Sequence, residues 1–326
     1  MSEIAQAALA QFGISGQLAP LGQGHIHDTY LVQAPAGAQY VLQRVNEYVF
    51  KDGDLLMAQT ARVLQCWAQQ QRYQTPQLQT TVTGDEAVRV DGLLWRMWHY
   101  LDDSKVIDPL TDETRVLQVA QAFAAFQQQM EHLPEPALED TIAGFLQLPH
   151  YLDAYQEVRQ QAPAELDNLI QQGSKLADQF RHRTCIIHAD CKVNNVLFDQ
   201  KGTQVIAVID FDTVMHGHWA WDFGDLVRSV CFSVRQVRED LFAACARGFA
   251  ARADGDAAAL ADAPAYLAMM LGLRFLTDHL SGDQYFKVNS PGQNLQRAQQ
   301  QFALYRQFVE RRGRLVAIAQ SQLAQV

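Results

Sequence analysis

The stretch that decides the fold is Cys185-Ile-Ile-His188-Ala-Asp190-Cys-Lys192-Val-Asn-Asn195-Val-Leu-Phe-Asp199, in a chain of 326 residues. Its pattern predicts a short apolar strand, a polar loop and a second apolar strand. A turn follows at 199–202, and Val205-Ile-Ala-Val-Ile-Asp210-Phe-Asp212 predicts a third strand that ends at a carboxylate. The pattern therefore places Asp190, Asn195 and Asp210 at strand ends.

The spacing His-x-Asp-x-x-x-x-Asn in this stretch is typical of the catalytic loop of protein kinases. In that loop the Asp accepts the proton of the attacking hydroxyl, and the Asn binds Mg²⁺ together with an Asp from elsewhere in the chain. The spacing predicts that Asp190 is catalytic and that Lys192 neutralises charge on the moving phosphoryl group. It also predicts a Mg²⁺ site formed by Asn195 and Asp210. Three unrelated polar residues in a turn are the alternative.

The composition is that of a soluble globular protein, with 48% hydrophobic and 19% charged residues. A net charge of −10 argues against binding to nucleic acid or to an anionic membrane surface. The five cysteines show no CxxC pair and no zinc spacing, which favours reduced thiols in a cytoplasmic protein. No signal peptide and no membrane-spanning run is apparent in the sequence.

A glycine turn lies near the N-terminus, in Leu18-Ala-Pro-Leu-Gly22-Gln-Gly24-His25-Ile-His27-Asp28-Thr29-Tyr30. The apolar residues on both sides predict a β-hairpin. Because glycine lets backbone N–H groups approach phosphates, Gly22 and Gly24 are candidate nucleotide-binding residues. The next predicted strand, 40–46, places Arg44 where a kinase has its phosphate-binding Lys. A plain turn and an exposed strand arginine are the alternatives.

The sequence pattern changes from strand-rich to helix-rich near residue 100, which predicts two lobes. Residues 1–101 carry a short helix pattern at 3–12, several strand patterns, an Asp-Gly hairpin signal at 91–92 and a second helix over 54–71. That helix has no Glu, so the kinase ion pair between a strand Lys and a helix Glu is missing at both ends. Residues 102–326 carry helical patterns that start near 111 and then cover 163–181, 236–252, 264–280 and 294–324. We expect an α+β, two-lobed protein-kinase-like fold with a nucleotide-binding N-terminal lobe and a helical, catalytic C-terminal lobe.

An aromatic strand, Leu93 to Tyr100, precedes the polar connector Asp102-Asp103-Ser104. In a two-lobed kinase such a connector is the hinge whose backbone hydrogen-bonds a purine. Trp98 and Tyr100 are therefore candidate nucleotide-binding residues, and packing in the core is the alternative for both rings.

These motifs together resemble the aminoglycoside phosphotransferase and choline kinase family, within the protein-kinase-like fold. Further segments are similar to the N-acetylhexosamine 1-kinase group of that family, and the similarity runs from about residue 20 to residue 300. The segments are 22–30, Leu42-Gln-Arg44-Val-Asn46, Ile209-Asp210-Phe-Asp212-Thr213, Trp221-Asp222-Phe-Gly224-Asp225, Arg274-Phe-Leu-Thr277-Asp278 and Gly282-Asp283-Gln-Tyr285-Phe-Lys287.

The resemblance implies that ATP and Mg²⁺ are used to phosphorylate the anomeric hydroxyl of N-acetylglucosamine or N-acetylgalactosamine. It implies that Asp190 is the base, that Asn195 and Asp210 bind the metal, and that Asp222 braces the catalytic loop. It further implies that the residues in contact with the sugar are His25, Asp28, Arg274 and Tyr285. The sequence departs from the family in two ways: Arg44 stands in place of the phosphate-binding Lys, and the following helix has no Glu to pair with it.

Two other functions fit the sequence. The first is a kinase of the same fold that acts on an aminoglycoside, choline or another alcohol. A polycationic acceptor needs several carboxylates, and residues 274–297 offer Asp278 and Asp283 but also three basic residues, which suits a neutral sugar better. The second is a catalytically dead nucleotide-binding module. For Arg274 itself, an ion pair with Asp278 four residues on is the structural alternative.

Overall fold

The computed structural model describes residues 2–22 and 26–325, and the chain divides into two compact units, Met1–Ser104 and Lys105–Val326. The helices and strands of the first unit follow in chain order. They are α1 (Ser2–Gln11), β1 (Gln17–Pro20), β2 (Asp28–Gln33), β3 (Gln39–Arg44), α2 (Gly53–Trp67), β4 (Leu78–Gln79), β5 (Ala87–Val90) and β6 (Leu93–His99), with β7 (Ser104–Lys105) at the junction of the units.

The first unit is built on an antiparallel sheet with strand order β1-β2-β3-β6-β4, in which β5 also pairs with β6. Helix α1 covers one face of this sheet. Successive strand residues point to opposite faces, so Leu42 and Trp95 lie on the α1 face and their neighbours Gln43 and Arg96 on the other. The core on the α1 face consists of Ala5, Ala8, Leu9, Phe12, Val32, Leu42, Trp95 and Met97.

Both predicted hairpins of the first unit are confirmed. Strands β1 and β2 pair on either side of the glycine turn, from Gln17 opposite Gln33 to Pro20 opposite Tyr30. Strands β5 and β6 pair around Asp91-Gly92, whose φ angles of 51° and 76° are both in the left-handed region. Positive φ at both central residues is the feature that makes Asp-Gly the preferred two-residue hairpin.

The second unit is mainly helical. Its elements are α3 (Glu113–Met130), α4 (Leu148–Gln156), α5 (Ala164–Gly173), β8 (Cys185–Ile187), β9 (Val196–Asp199), β10 (Val205–Val208), β11 (Met215–Gly217), α6 (Trp219–Ser233), α7 (Glu239–Gly248), α8 (Ala250–Ala253), α9 (Ala257–Leu280) and α10 (Gln293–Leu323). Strands β9 and β10 form the expected hairpin, and β8 pairs antiparallel with β11. The α+β fold class is thus confirmed.

Some helices differ from their predicted bounds. Helices α4 and α6 lie outside the predicted helices, and α6 contains the sequence motif Trp221 to Asp225. Helix α9 begins at Ala257 and not at 264, because the Asp256 side chain caps it by accepting a hydrogen bond from Ala259 N (2.8 Å). The helix then continues through Pro264.

Helix α9 is the central helix of the second unit. Its length and mean hydropathy of 1.3 would suit a membrane span, but 83% of its most apolar window is buried inside the unit. It contacts α6 at Gly224, where a Cβ atom would lie 2.6 Å from the carbonyl oxygen of Ala263. The two helices therefore meet backbone to backbone, which only glycine permits at this position.

Candidate active site

The loop between β8 and β9 is fixed by a buried histidine. His188 is fully buried and lies edge-on to the rings of Phe123, Phe126 and Phe211 at 5.2, 5.3 and 5.6 Å. Its Nε2 donates to the carbonyl of Ile209 (3.0 Å), and its Nδ1 accepts from Asp190 N (3.3 Å). A carbonyl can only accept, so Nε2 carries the proton and the ring is neutral. The histidine thereby ties the loop to the end of β10.

Asp222, in the first turn of α6, braces the same loop. Its carboxylate accepts hydrogen bonds from His188 N (2.9 Å), Ala189 N (2.8 Å) and Gln127 Nε2 (2.8 Å). Ala189 has a φ of 65°, a left-handed conformation that a non-glycine residue adopts only under such constraint. Complete burial raises the pKa of the Asp222 carboxyl. The predicted bracing role of Asp222 is confirmed.

Asp190, Lys192 and Asn195 come together in this loop. Asp190 Oδ2 lies 2.6 Å from Lys192 Nζ and accepts from Asn195 Nδ2 at 2.9 Å. The second carboxylate oxygen, Oδ1, accepts no hydrogen bond within the described residues. Burial works against ionisation of Asp190, but the charge of Lys192 and the hydrogen bonds from Lys192 and Asn195 together hold the pKa of this carboxyl below the ordinary aspartate value. One ionised oxygen is thus held in place while the other can accept a proton.

Asp210 lies next to this group, at the end of β10. Ile209 N donates to the backbone carbonyl of Asn195 (2.9 Å), which places the two strand ends side by side. Asp210 has φ and ψ of 69° and 66°, a strained left-handed conformation of the kind found at functional sites. Burial alone would lower the pKa of Lys192, but the carboxylates of Asp190 and Asp210 raise it above the ordinary lysine value. The structure therefore brings together all four polar residues predicted from the loop motif.

The oxygen atoms of Asn195 and Asp210 fit a hard divalent cation. Asn195 uses its amide nitrogen for two bonds to Asp190, and in the described chain its Oδ1 accepts none. Asp210 is exposed. The described residues contain no cluster of three or more His, Cys, Asp or Glu suited to a metal. Mg²⁺ in kinases is usually held by one or two protein oxygens and completed by phosphates and water, so this donor set suits it.

In the first unit the structure reaches only part of the predicted glycine turn, because Gly24 and His25 lie outside the described residues. Gly22 has a φ of 70°, and an added Cβ would meet no atom within 4 Å. Asp28 and Arg44 lie opposite each other on β2 and β3, at the end of the sheet that borders this turn, and form an ion pair. Asp28, which is predicted to contact the acceptor, therefore forms an ion pair with Arg44, which is predicted to bind the nucleotide.

Trp98 lies on the opposite face of the sheet from Arg44. Gln43 Oε1 accepts hydrogen bonds from Trp98 Nε1 (2.8 Å) and Arg96 Nε (3.0 Å), and the Arg96 guanidinium lies 5.1 Å from the Trp98 ring. Tyr100 follows β6 and donates its backbone N–H to Gln39 O (3.2 Å). The Gln43–Arg96–Trp98 cluster is polar, and no local sequence pattern indicates it, because Gln43 comes from β3 and the other two residues from β6.

Arg274 and Tyr285 also come together, as predicted. Arg274 Nη2 donates to the Tyr285 hydroxyl at 3.4 Å. Its guanidinium carbon lies 5.0–5.5 Å from the centroids of four rings, at cation–π distance. Within residues 2–22 and 26–325 no carboxylate forms an ion pair with it, so the alternative of an Arg274–Asp278 pair is excluded there. The rings belong to Phe145, Tyr151, Tyr285 and Phe286.

The segment 141–145 links the surroundings of Arg274 to the residues that follow Asp210. Thr141 Oγ1 donates to the backbone carbonyl of Asp212 (3.1 Å), and Phe145 is only four residues further on. Four residues span at most about 14 Å. The Phe145 ring that contacts Arg274 is therefore tied by a short stretch of chain to the segment that follows Asp210. The sequence did not indicate Phe145 and Tyr151, because neither lies in a predicted element and only the fold brings them to α9.

Comparison with known proteins places these features in a known group. The family model described as the phosphotransferase enzyme family (APH) matches residues 17–261. An aminoglycoside phosphotransferase from Alicyclobacillus acidocaldarius shares 15% identity and a TM-score of 0.64, covering 98% of this chain and 96% of that one. A choline/ethanolamine kinase family protein from Mesorhizobium loti shares 19% identity and a TM-score of 0.62, covering 98% and 99%. The amicoumacin kinase hAmiN, solved with AMP-PNP and Ca²⁺, shares 15% identity and a TM-score of 0.62, covering 95% and 92%. These likenesses confirm the kinase-like fold.

Proposed function

Because the chain belongs to the phosphotransferase enzyme family and has the fold of small-molecule kinases, we propose that it phosphorylates an N-acetylhexosamine at the anomeric hydroxyl, using ATP and Mg²⁺. The observation that carries the choice of acceptor is Arg274, a cation surrounded by aromatic rings with no carboxylate partner among the described residues. The acceptor and ATP are the partners in this proposal, and neither nucleic acid nor a membrane takes part.

In the proposed reaction Asp190 accepts the proton of the attacking hydroxyl through Oδ1. Lys192 and Asn195 hold the other carboxylate oxygen and so fix the direction in which Oδ1 points. Lys192 also places a positive charge beside the group in transfer. Catalysis of phosphoryl transfer consists mainly of such positioning and charge stabilisation.

The residues that would hold Mg²⁺ are Asn195, through Oδ1, and Asp210, through its carboxylate. When bound, the cation neutralises charge on the phosphates of ATP. The proposal assigns nucleotide binding to residues 1–101 and catalysis and acceptor binding to 102–326. The nucleotide-binding residues in it are Gly22, Gly24, Arg44, Trp98 and Tyr100, and His25 and Asp28 are further acceptor contacts.

An uncharged acceptor suits the charges of the second unit better than a cationic one. A positive substrate would meet the like charge of Arg274, and such juxtaposition disfavours binding. The two nearby carboxylates are engaged within the protein, since Asp278 accepts from backbone and Asn294 amides and Asp283 accepts from Asn294 Nδ2 (2.9 Å). An acetamido carbonyl or a sugar hydroxyl, by contrast, can accept from the guanidinium. This supports a neutral sugar over an aminoglycoside or choline.

The proposal is tested by measuring ADP release with N-acetylglucosamine, N-acetylgalactosamine, glucose, galactose, choline and an aminoglycoside. We expect turnover of an N-acetylhexosamine, weak turnover of the plain hexoses, and a product that no longer reacts as a reducing sugar. A product that still reduces would show that C1 is free. Turnover of choline or the aminoglycoside alone would overturn the acceptor class.

The proposal also places the enzyme in the cytoplasm. The described residues contain no disulfide, and burial raises the pKa of Cys185, Cys191, Cys231 and Cys245, which keeps these four thiols protonated and unreactive. Free thiols are the normal state in a reducing compartment, where ATP is also supplied.

Arg274→Ala is expected to lower kcat/KM for the acceptor by about 10- to 100-fold, as loss of a hydrogen bond to a charged group implies. The KM for ATP should change by less than about twofold, because the variant removes no proposed nucleotide contact. Both constants come from initial rates with one substrate varied at a time. An unchanged acceptor kcat/KM would show that Arg274 does not contact the acceptor.

Arg44→Ala is expected to raise the KM for ATP by roughly fivefold, since a partly exposed ion pair is worth about 1 kcal/mol and its loss leaves Asp28 negative beside the glycine turn. Adding Asp28→Asn removes that charge, so the double variant should recover part of the ATP affinity. Arg89→Ala is the matched control, because Arg89 also pairs with carboxylates in the first unit, Glu47 and Asp54. An ATP KM that is unchanged in Arg44→Ala would assign Arg44 a structural role only.

A further inference from the structure

A buried carboxylate with only amide partners lies one helical turn beyond Arg274. Asp278 is on the last turn of α9, with 7% of its surface exposed. Its Oδ1 accepts from Gln284 N (2.9 Å) and Tyr285 N (2.7 Å). Its Oδ2 accepts from Phe286 N (3.0 Å) and Asn294 Nδ2 (2.9 Å). Among the described residues no Lys, Arg or His forms an ion pair with it. A carboxylate bonded in this way fixes the backbone of three consecutive residues.

The segment held by Asp278 supplies two of the four rings around Arg274. The Tyr285 hydroxyl accepts from Arg274 at 3.4 Å, and the rings of Tyr285 and Phe286 lie 5.5 and 5.3 Å from its guanidinium carbon. The Phe286 ring also packs against Phe275 at 4.5 Å between centroids. Arg274 and Asp278 are four residues apart on one helix and therefore lie on the same face. Helix α9 thus carries both Arg274 and Asp278, the carboxylate that holds two of the rings around the Arg274 guanidinium.

A second helix reinforces this arrangement. Asn294, at the start of α10, is fully buried and donates through Nδ2 to both Asp278 Oδ2 and Asp283 Oδ1, each at 2.9 Å. Its Oδ1 accepts from Arg297 Nη1 (2.8 Å), and the same nitrogen donates to Lys287 O (3.0 Å). The turn from 283 to 287 is therefore bonded to both α9 and α10, and Asp278 is the only one of these residues whose side chain bonds three successive backbone amides in it.

We propose that Asp278 is a positioning residue for the acceptor: it holds Tyr285 and Phe286 where they orient the Arg274 guanidinium. This inference rests on the proposed function, in which Arg274 binds the acceptor. A carboxylate is required because all four partners are donors and an ionised carboxyl only accepts. An asparagine at 278 has nearly the same shape, but in either orientation its NH₂ group would face two donors: Gln284 N and Tyr285 N, or Phe286 N and Asn294 Nδ2. A buried donor would then be left without an acceptor.

The test is Asp278→Asn, assayed with N-acetylglucosamine or, if that is not a substrate, with the acceptor of highest turnover in the panel. We expect the acceptor KM to rise on the order of 10- to 100-fold, the effect of a small displacement of a substrate-binding group. The KM for ATP should stay within about twofold of wild type. A variant that is folded by circular dichroism but has an unchanged acceptor KM would overturn the inference.

Asp262→Asn is the matched control. Asp262 lies on the same helix with the same 7% exposure, but it binds Arg312 of α10 at 2.6 and 2.8 Å and has no contact with residues 283–287. We expect this control to lower the melting temperature without changing the acceptor KM. If Asp262→Asn raises the acceptor KM as much as Asp278→Asn does, the rise is caused by destabilisation of α9. The positioning role of Asp278 is then rejected.

Two further variants complete the test. If Asp278→Asn does not fold, Asn294→Ala takes its place. This variant removes one donor to the Asp278 carboxylate and leaves the three backbone hydrogen bonds, so we expect a smaller rise in the acceptor KM. An unchanged acceptor KM would reject the inference. Arg274→Ala separates this inference from the proposed function. An acceptor kcat/KM unchanged in Arg274→Ala contradicts the proposed acceptor site itself, whereas a loss in Arg274→Ala with none in Asp278→Asn contradicts only the role of Asp278.

Discussion

Replacing Asp190 by asparagine is expected to lower turnover by about 10²–10⁴-fold, the usual cost of removing a general base. Asparagine keeps the size of the side chain and an oxygen toward Lys192, so the loop should keep its conformation. ATP affinity should be retained, because Asp190 is not a proposed ligand of the metal or the nucleotide. Steady-state rates and a calorimetric titration of Mg-ATP measure the two effects separately.

The pH dependence gives an independent check on Asp190. Its pKa lies below the ordinary aspartate value, so the carboxylate is ionised at neutral pH. The rate should therefore stay constant as the pH falls through mild acid and decrease only as it falls through that lowered pKa. Near-normal turnover of a folded Asp190→Asn variant would assign the base to another residue.

Asp210→Ala is expected to lower kcat by on the order of 10²–10³-fold, the range seen when one group that stabilises transition-state charge is removed. Its second effect is on binding. Wild-type protein should bind ATP more tightly with Mg²⁺ than with EDTA, and the variant should lose that difference, because the carboxylate proposed to hold the cation is gone. Calorimetric titration in the two buffers measures this without any turnover.

Asp199→Ala is the control for this variant, since Asp199 belongs to the same β9–β10 hairpin. Its carboxylate accepts from Thr203 N (2.6 Å) and Gln204 N (3.1 Å) and so holds the turn. We expect Asp199→Ala to lower stability but to keep the effect of Mg²⁺ on ATP affinity. If Asp210→Ala also keeps that effect, Asp210 is not a metal ligand.

The parts of the fold that could be predicted from the sequence are those with local signals. The loop motif, the Asp91-Gly92 turn and the helix start near residue 111 each depend on residues a few positions apart, and all three are present. The membership of the chain in the phosphotransferase family agrees with the prediction from these motifs. The N-acetylhexosamine specificity and the catalytic, metal-binding, nucleotide-binding and substrate-binding roles of the individual residues stay predictions.

The parts that could not be predicted depend on contacts between distant segments. Phe145 and Tyr151 reach Arg274 only because α4 and the segment before it pack on α9. The ion pair of Arg44 with Asp28 follows from the pairing of β2 with β3, which no local pattern specifies. The i+4 spacing of Arg274 and Asp278 offers an ion pair between them as the structural alternative, but the Asp278 oxygens instead accept from the amides of residues 284–286.

The backbone contact of α6 with α9 at Gly224 limits how a protein of this kind can change its substrate over evolutionary time. Ala263, at this contact, is eleven residues before Arg274, about 16 Å along the same helix. Asp222, two residues before Gly224, holds the catalytic loop. Since the close backbone contact opposes sliding of the two helices, the catalytic loop and Arg274 keep a fixed spacing. We expect new acceptor preferences to arise through substitution of the four aromatic rings around Arg274 and of residues in the 281–292 turn. Such changes leave the catalytic loop between β8 and β9 unaltered.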